Sequence, residues 1–189
     1  MRNYLKVLLA ILSMTIIMQS CKKDIAEESA TTSFRTVEKY DYNVVFEWNN
    51  LWMDIERYAS GYRPCPTANA LGYIGLASYE ACISGMPENA SLSSLYNGLN
   101  IPKAFNNQEY HWPTVVNAVN EYLYSRLLPE VEVSLYSKIK VLADKNEKDF
   151  LEQVGQEVFI RSKNHGESVA AAVWDWMKND PATFDGYKD

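Results

Sequence analysis

Two histidines and three cysteines hold most of the nucleophilic and metal-ligating chemistry available to this sequence: His111 in Glu-Tyr-His-Trp-Pro, His165 in Lys-Asn-His-Gly-Glu, and Cys21, Cys65 and Cys82. A site for a tetrahedral oxyanion wants Arg and Lys with backbone donors to meet its charge. It also wants one imidazole as ligand or nucleophile beside a second as acid or base. Arg161, Lys163 and His165 form a local basic cluster that could hold an anion, although such a run reads first as a solvated helix face. Glu80 is the one formal charge between Thr67 and Ser84. If buried it has to pair, with Arg57 or Arg63 as candidates, and its role is then structural. Trp48 and Trp52, four apart, suit a stacked ligand but more naturally a helix core. No Gly-rich phosphate loop, nucleophile elbow or zinc-ligand spacing is present. No catalytic, cofactor-binding or metal-ligating residue is therefore assigned.

The elements that would position these residues are all helical. Pro64 and Pro66 suit the first turn of a helix, and no further breaker follows Thr67 until Gly85 and Pro87. Ala68, Ala70, Gly72, Gly75, Ala77, Ser78 and Ala81 keep this stretch slim. A helix with so little charge should be largely buried, and Gly72 and Gly75 suggest a close neighbour. It is expected to be the central helix. Upstream, Val44, Val45, Trp48, Leu51, Trp52 and Ile55 recur at helical intervals between Tyr42 and Tyr58. Residues 85–113 are irregular, rich in Pro and Asn, with Tyr96, Phe105, Tyr110 and Trp112 as expected anchors. Pro113 opens a helix that ends before Pro129, and a further helix is expected from Pro129 through Leu142. Ala143 to Lys148 reads as a charged turn or frayed end. Helical periodicity then resumes at Phe150 and runs to Met177 across Gly155 and Gly166. The expectation is an all-α bundle of about five or six helices, without strands or repeats.

The N-terminus carries an address. Arg2 and Lys6 precede an apolar run from Val7 to Met18 that is too short to span a bilayer, and small Ser20 precedes Cys21. Residues 1–20 thus read as a bacterial lipoprotein signal peptide, 21–40 as a flexible tether, and 41–189 as the helical domain. Cys21 would carry the lipid and tie the protein to the membrane of the bacterial cell envelope. Cleavage removes Arg2 and Lys6 from the 18 basic side chains and none of the 24 acidic ones, leaving a net charge of −8. No basic stripe suits a nucleic acid. Cys65 and Cys82 bracket one helix and lie about 25 Å apart at its rise, well beyond disulfide reach, so they read as free thiols.

Two segments resemble a known superfamily. Arg63, Pro64, Pro66, Ala68, Ala70, Ala77, Tyr79, Glu80 and Ala81 resemble the N-terminal helical part of the vanadium-dependent haloperoxidases and the related type 2 phosphatidic acid phosphatases. Glu80 stands in place of the usual Asp, and Asn69 where many relatives have Arg. Further on, Gly166, Val169, Ala170, Val173 and Trp176 match a Gly-x-x-Val-Ala-x-x-Ile-x-x-Trp pattern in the same order.

The resemblance implies a haloperoxidase-like helical fold whose chemistry resides in a C-terminal half. There, an Arg and Lys, a Pro-Ser-Gly-His segment and a Ser-Arg…His segment grip vanadate or a phosphoryl group. Neither histidine of this chain sits in such a setting, so no family catalytic residue carries over. The expectation is an N-terminal fragment, without a cofactor of its own, whose partner is the missing catalytic half; vanadate would belong to the complete parent. The alternative is a non-catalytic helical lipoprotein acting as scaffold or binding module.

Overall fold

The computed structural model describes residues 36–62 and 64–179. The signal peptide, Cys21, most of the tether, Arg63 and residues 180–189 lie outside them. Among the described residues there is no strand. Four α-helices account for the fold: α1 (Asn43–Glu56), α2 (Cys65–Cys82), α3 (Trp112–Leu127) and α4 (Val133–Met177), with 3-10 turns at Val37–Lys39, Ile83–Gly85 and Ser93–Leu95. No helix among them is long and apolar enough to cross a membrane.

Among the described residues four helices stand against the expected five or six, because two helical arms joined at Gly155 run together as α4. Ala143–Lys148 is not a turn but the interior of a helix. Ala143 and Asn146 face α3 and are fully buried, while Lys145 pairs with Glu47 on α1 at 2.8 Å. The charges that suggested a loop occupy the outer faces of a helix. The interruption falls at Gly155, with φ 75 and ψ 169, a region essentially restricted to glycine. Lys163 beyond it pairs with Glu147 before it. On a straight helix these residues would be about 24 Å apart. The two arms of α4 therefore fold back on each other at one residue.

The centre of the bundle is α3, not α2. Eleven residues of α3 are buried, from Trp112 to Leu127, and both arms of α4 pack along it. The first arm runs antiparallel to α3: Lys140 approaches Glu121, and Asn146 bonds to Asn117. The second runs parallel to it, with Ser162 at His111 and Gly166 at Val115. A methyl group added at Gly166 would sit 2.4 Å from the Val115 carbonyl oxygen and 3.0 Å from Ala118 Cβ. That glycine allows the two helices a close approach there.

By contrast, α2 is only half covered. Pro64 caps it and Pro66 occupies its first turn, as the sequence suggests. It buries Ala70, Ile74, Ala77, Glu80, Ala81 and Cys82, but Ala68, Leu71, Gly72 and Gly75 are exposed. Nothing lies within 4 Å of where a Cβ would stand at Gly72 or Gly75. The close neighbour expected at these glycines is absent among the described residues. Low charge had suggested burial, but small side chains contribute little apolar area to drive it.

The core itself is aromatic. Trp48 and Trp52 of α1 are fully buried, each edge-on to Tyr124 at 5.0 and 5.1 Å. Burying such rings stabilises the bundle by several kcal/mol, on the scale of the 3–5 kcal/mol lost when a core Trp or Phe becomes Ala. Most polar groups inside are matched to partners. Trp48 Nε1 donates to Asn117 Oδ1 at 2.9 Å, Asn117 Nδ2 to the Ala143 carbonyl at 3.2 Å, and Tyr124 Oη to the Trp48 carbonyl at 2.9 Å.

Candidate functional site

Three of the side chains in the superfamily-like patterns, Tyr79, Glu80 and Trp176, share one task. Residues 86–111 form a long irregular segment over the bundle, and these three side chains fasten it. Tyr79 Oη donates to the Ala90 carbonyl at 2.8 Å. Glu80, 1 % exposed, accepts from Ser91 Oγ at 2.8 Å and from the Leu92 amide. Trp176 Nε1 donates to the Asn97 carbonyl at 3.0 Å, with Tyr73 and Tyr96 edge-on to its ring. Glu80 thus satisfies its burial with neutral donors. The expected Arg57 partner is elsewhere: its guanidinium bonds the Met53 carbonyl and faces Asp54 at 3.5 Å on exposed α1. Of the expected loop anchors, Tyr110 and Trp112 are buried and stacked at 5.6 Å, whereas Phe105 and Tyr96 are exposed.

Neither histidine has the setting of a nucleophile. His111 precedes α3; its amide donates to Ser162 Oγ at 2.8 Å, and its Nδ1 shares a 2.7 Å hydrogen bond with Thr114 Oγ1. Tyr40 and Phe150 pack edge-on against the ring. Burial pushes its pKa down to about 4, partly opposed by a hydrogen bond with Gln153. His165 is also held below its ordinary value, by burial first, against the hydrogen bond to the Ala81 carbonyl.

The basic cluster of Arg161, Lys163 and His165 separates by helical geometry. Lys163 joins a network between α3 and both arms of α4, pairing with Glu147 and lying 4.0 Å from Glu167. Burial, ahead of its charged neighbours, raises the pKa of Glu121 in that network. Arg161 and His165 instead face a cavity of about 600 Å³ between the second arm of α4 and residues 102–110. An oxyanion such as vanadate needs several cations and imidazoles aimed at one point. With Lys163 on another face and His111 sealed in the core, these residues do not fit it.

Other candidates resolve into structure. Cys65 and Cys82 are free thiols at opposite ends of α2, and burial pushes Cys82 up to about 12, which leaves it inert. Trp48 and Trp52 are sealed in the core and offer no stacking face. Trp52 Nε1 is the one buried side-chain nitrogen or oxygen without a partner among the described residues. No group of three or more metal-ligating side chains occurs among them. Tyr110, expected only as a loop anchor, also lines the cavity: it lies in an irregular segment, where spacing gives no hint that Arg161 will pack over its ring, 6.0 Å away.

No protein-family model, no characterised protein and no solved structure matches this chain.

Proposed function

We propose that this chain is the N-terminal, non-catalytic helical part of a lipid-anchored envelope protein of the haloperoxidase and type 2 phosphatidic acid phosphatase superfamily. The complete parent would oxidise halides with peroxide and vanadate, or hydrolyse phosphate esters, using residues that follow this segment. The observation that carries the reading is the placement of the pattern residues. Tyr79, Glu80 and Trp176 all fasten the 86–111 segment, and Gly166 makes the tight α3–α4 crossing. That one residue set from each of the two family-like patterns fastens the same segment supports a common descent for them. The charge-poor outer face of α2, with Leu71, Gly72 and Gly75 exposed, supports a further helical layer packed there.

The test is to read the gene beyond the codon for Asp189. A frame continuing into Pro-Ser-Gly-His and Ser-Arg…His supports the reading, and the whole product should then oxidise halides or release phosphate. A stop codon there, with a stably folded product, would sink it. Lipid attachment has its own check: radiolabelled palmitate should be incorporated by the native chain and not by Cys21→Ser.

The second reading, a free-standing helical binding module, is favoured by the cavity beside Arg161 and His165.

A further inference from the structure

The cavity between the second arm of α4 and residues 102–110 holds a preorganised cation and a committed hydrogen-bond acceptor. Arg161 is fixed from three sides. Its Nε donates to the Glu109 carbonyl at 3.1 Å, its guanidinium lies over the Tyr110 ring, and Nη1 meets Glu157 at 3.2 Å. Glu157 is 88 % exposed at its side chain, so this ion pair is screened and readily exchanged. Lys103, a second lining cation, has no carboxylate partner among the described residues.

His165 is nine-tenths buried and lines the same cavity. Its Nε2 lies 3.0 Å from the Ala81 carbonyl. A carbonyl only accepts, so Nε2 carries the proton, and the neutral ring presents Nδ1 as a lone pair. That atom has no partner among the described residues. Tyr110 touches both, its ring 6.0 Å from the Arg161 guanidinium and 5.4 Å from the His165 ring, and Ile160 lines the same cavity. Residues 161 and 165 are one turn apart on α4, about 6 Å along its axis.

We propose that this cavity binds a small hydroxylated aromatic carboxylate, its carboxylate on Arg161 and Lys103, its ring against Tyr110 and Ile160, and its hydroxyl donating to His165 Nδ1. The lining selects this class: two cations for the carboxylate, apolar walls for the ring, and an unpartnered imidazole nitrogen for the hydroxyl. The proposal concerns this chain's own residues and does not rest on the lineage proposed above.

The test is calorimetric titration of the full chain with 4-hydroxybenzoate, benzoate and 4-hydroxybenzyl alcohol. Saturable binding of 4-hydroxybenzoate is expected. Benzoate, which lacks the donor, should bind several-fold more weakly, and the uncharged alcohol at least about 10-fold more weakly, the scale of a lost charged hydrogen bond. Arg161→Gln should weaken 4-hydroxybenzoate by a similar factor. Ile160→Glu, at a half-exposed position that leaves the core intact, should abolish binding by setting a carboxylate in the wall. Circular dichroism of both variants must match the native chain. Absence of saturable heat at millimolar 4-hydroxybenzoate would overturn the proposal. Equal binding of the neutral alcohol, or unchanged binding by two folded variants, would overturn it as well.

Discussion

Gly166 and the pair Gly72 and Gly75 all lie inside helices, yet their surroundings are opposite. At Gly166 a single added carbon would strike the α3 backbone, whereas at Gly72 and Gly75 it would meet no atom of the described residues. An interior helical glycine costs roughly 1 kcal/mol relative to alanine. At Gly166 the cost is offset within the described fold by the α3–α4 crossing. At Gly72 and Gly75 nothing described offsets it. The seam between α3 and α4 is a finished interface; the outer face of α2 is small, poor in charge and open among the described residues.

The largest effect is expected at the seam. Gly166→Ala should lower stability by about 3 kcal/mol, because relief requires backbone rather than side-chain movement. In a domain of this size that is roughly 6–12 °C in Tm by differential scanning calorimetry. A change of less than a degree would break the contrast.

Acid should open the same seam from its end. His111 has a folded pKa of about 4 and an ordinary unfolded one, so the unfolded chain binds more protons between those values. Stability is therefore complete above about pH 6.5 and falls as pH drops towards 4, by at most about 3 kcal/mol. Urea midpoints measured at pH 7 and pH 5 should show this slope, and His111→Asn should flatten it.

Gly155→Ala tests backbone strain without crowding, since no atom of the described residues stands near its would-be Cβ. Its positive φ should make alanine cost about 2 kcal/mol in chemical denaturation.

The smallest effect has the opposite sign. Gly72→Ala and Gly75→Ala should each stabilise the chain by up to about 1 kcal/mol if the α2 face is open. Destabilisation in a longer gene product would instead reveal a helix packed on that face.

Much of the helical content was legible because Trp48, Trp52 and Ile55, or Val115, Val119 and Leu123, repeat at helical spacing. The identity of the central helix was not. Asn117 and Asn120 are buried in α3, and a polar residue declares its burial only through a partner such as Ala143, remote in sequence. The α4 reversal was equally hidden, since Gly155 has apolar periodicity on both sides and only its dihedral angles distinguish it from Gly166. At the cavity, Arg161 and His165 were legible only as part of a basic cluster with Lys163, which faces elsewhere. Lys103 and Tyr110 were not, because they arrive on an irregular segment whose path is set by Tyr79, Glu80 and Trp176.

The reversal at Gly155 also bears on the order of assembly. Lys163 reaches Glu147 and Lys140 reaches Glu121 over short stretches of chain, whereas Ala81 must find His165 and Asn97 must find Trp176 across much longer ones. Closing small loops is fast and closing large ones slow. The C-terminal half of the described chain should therefore form the nucleus, with α2 and its strap docking after the rate-limiting step. Substitutions at Ala143 should slow refolding, while those at Ala77 should chiefly hasten unfolding.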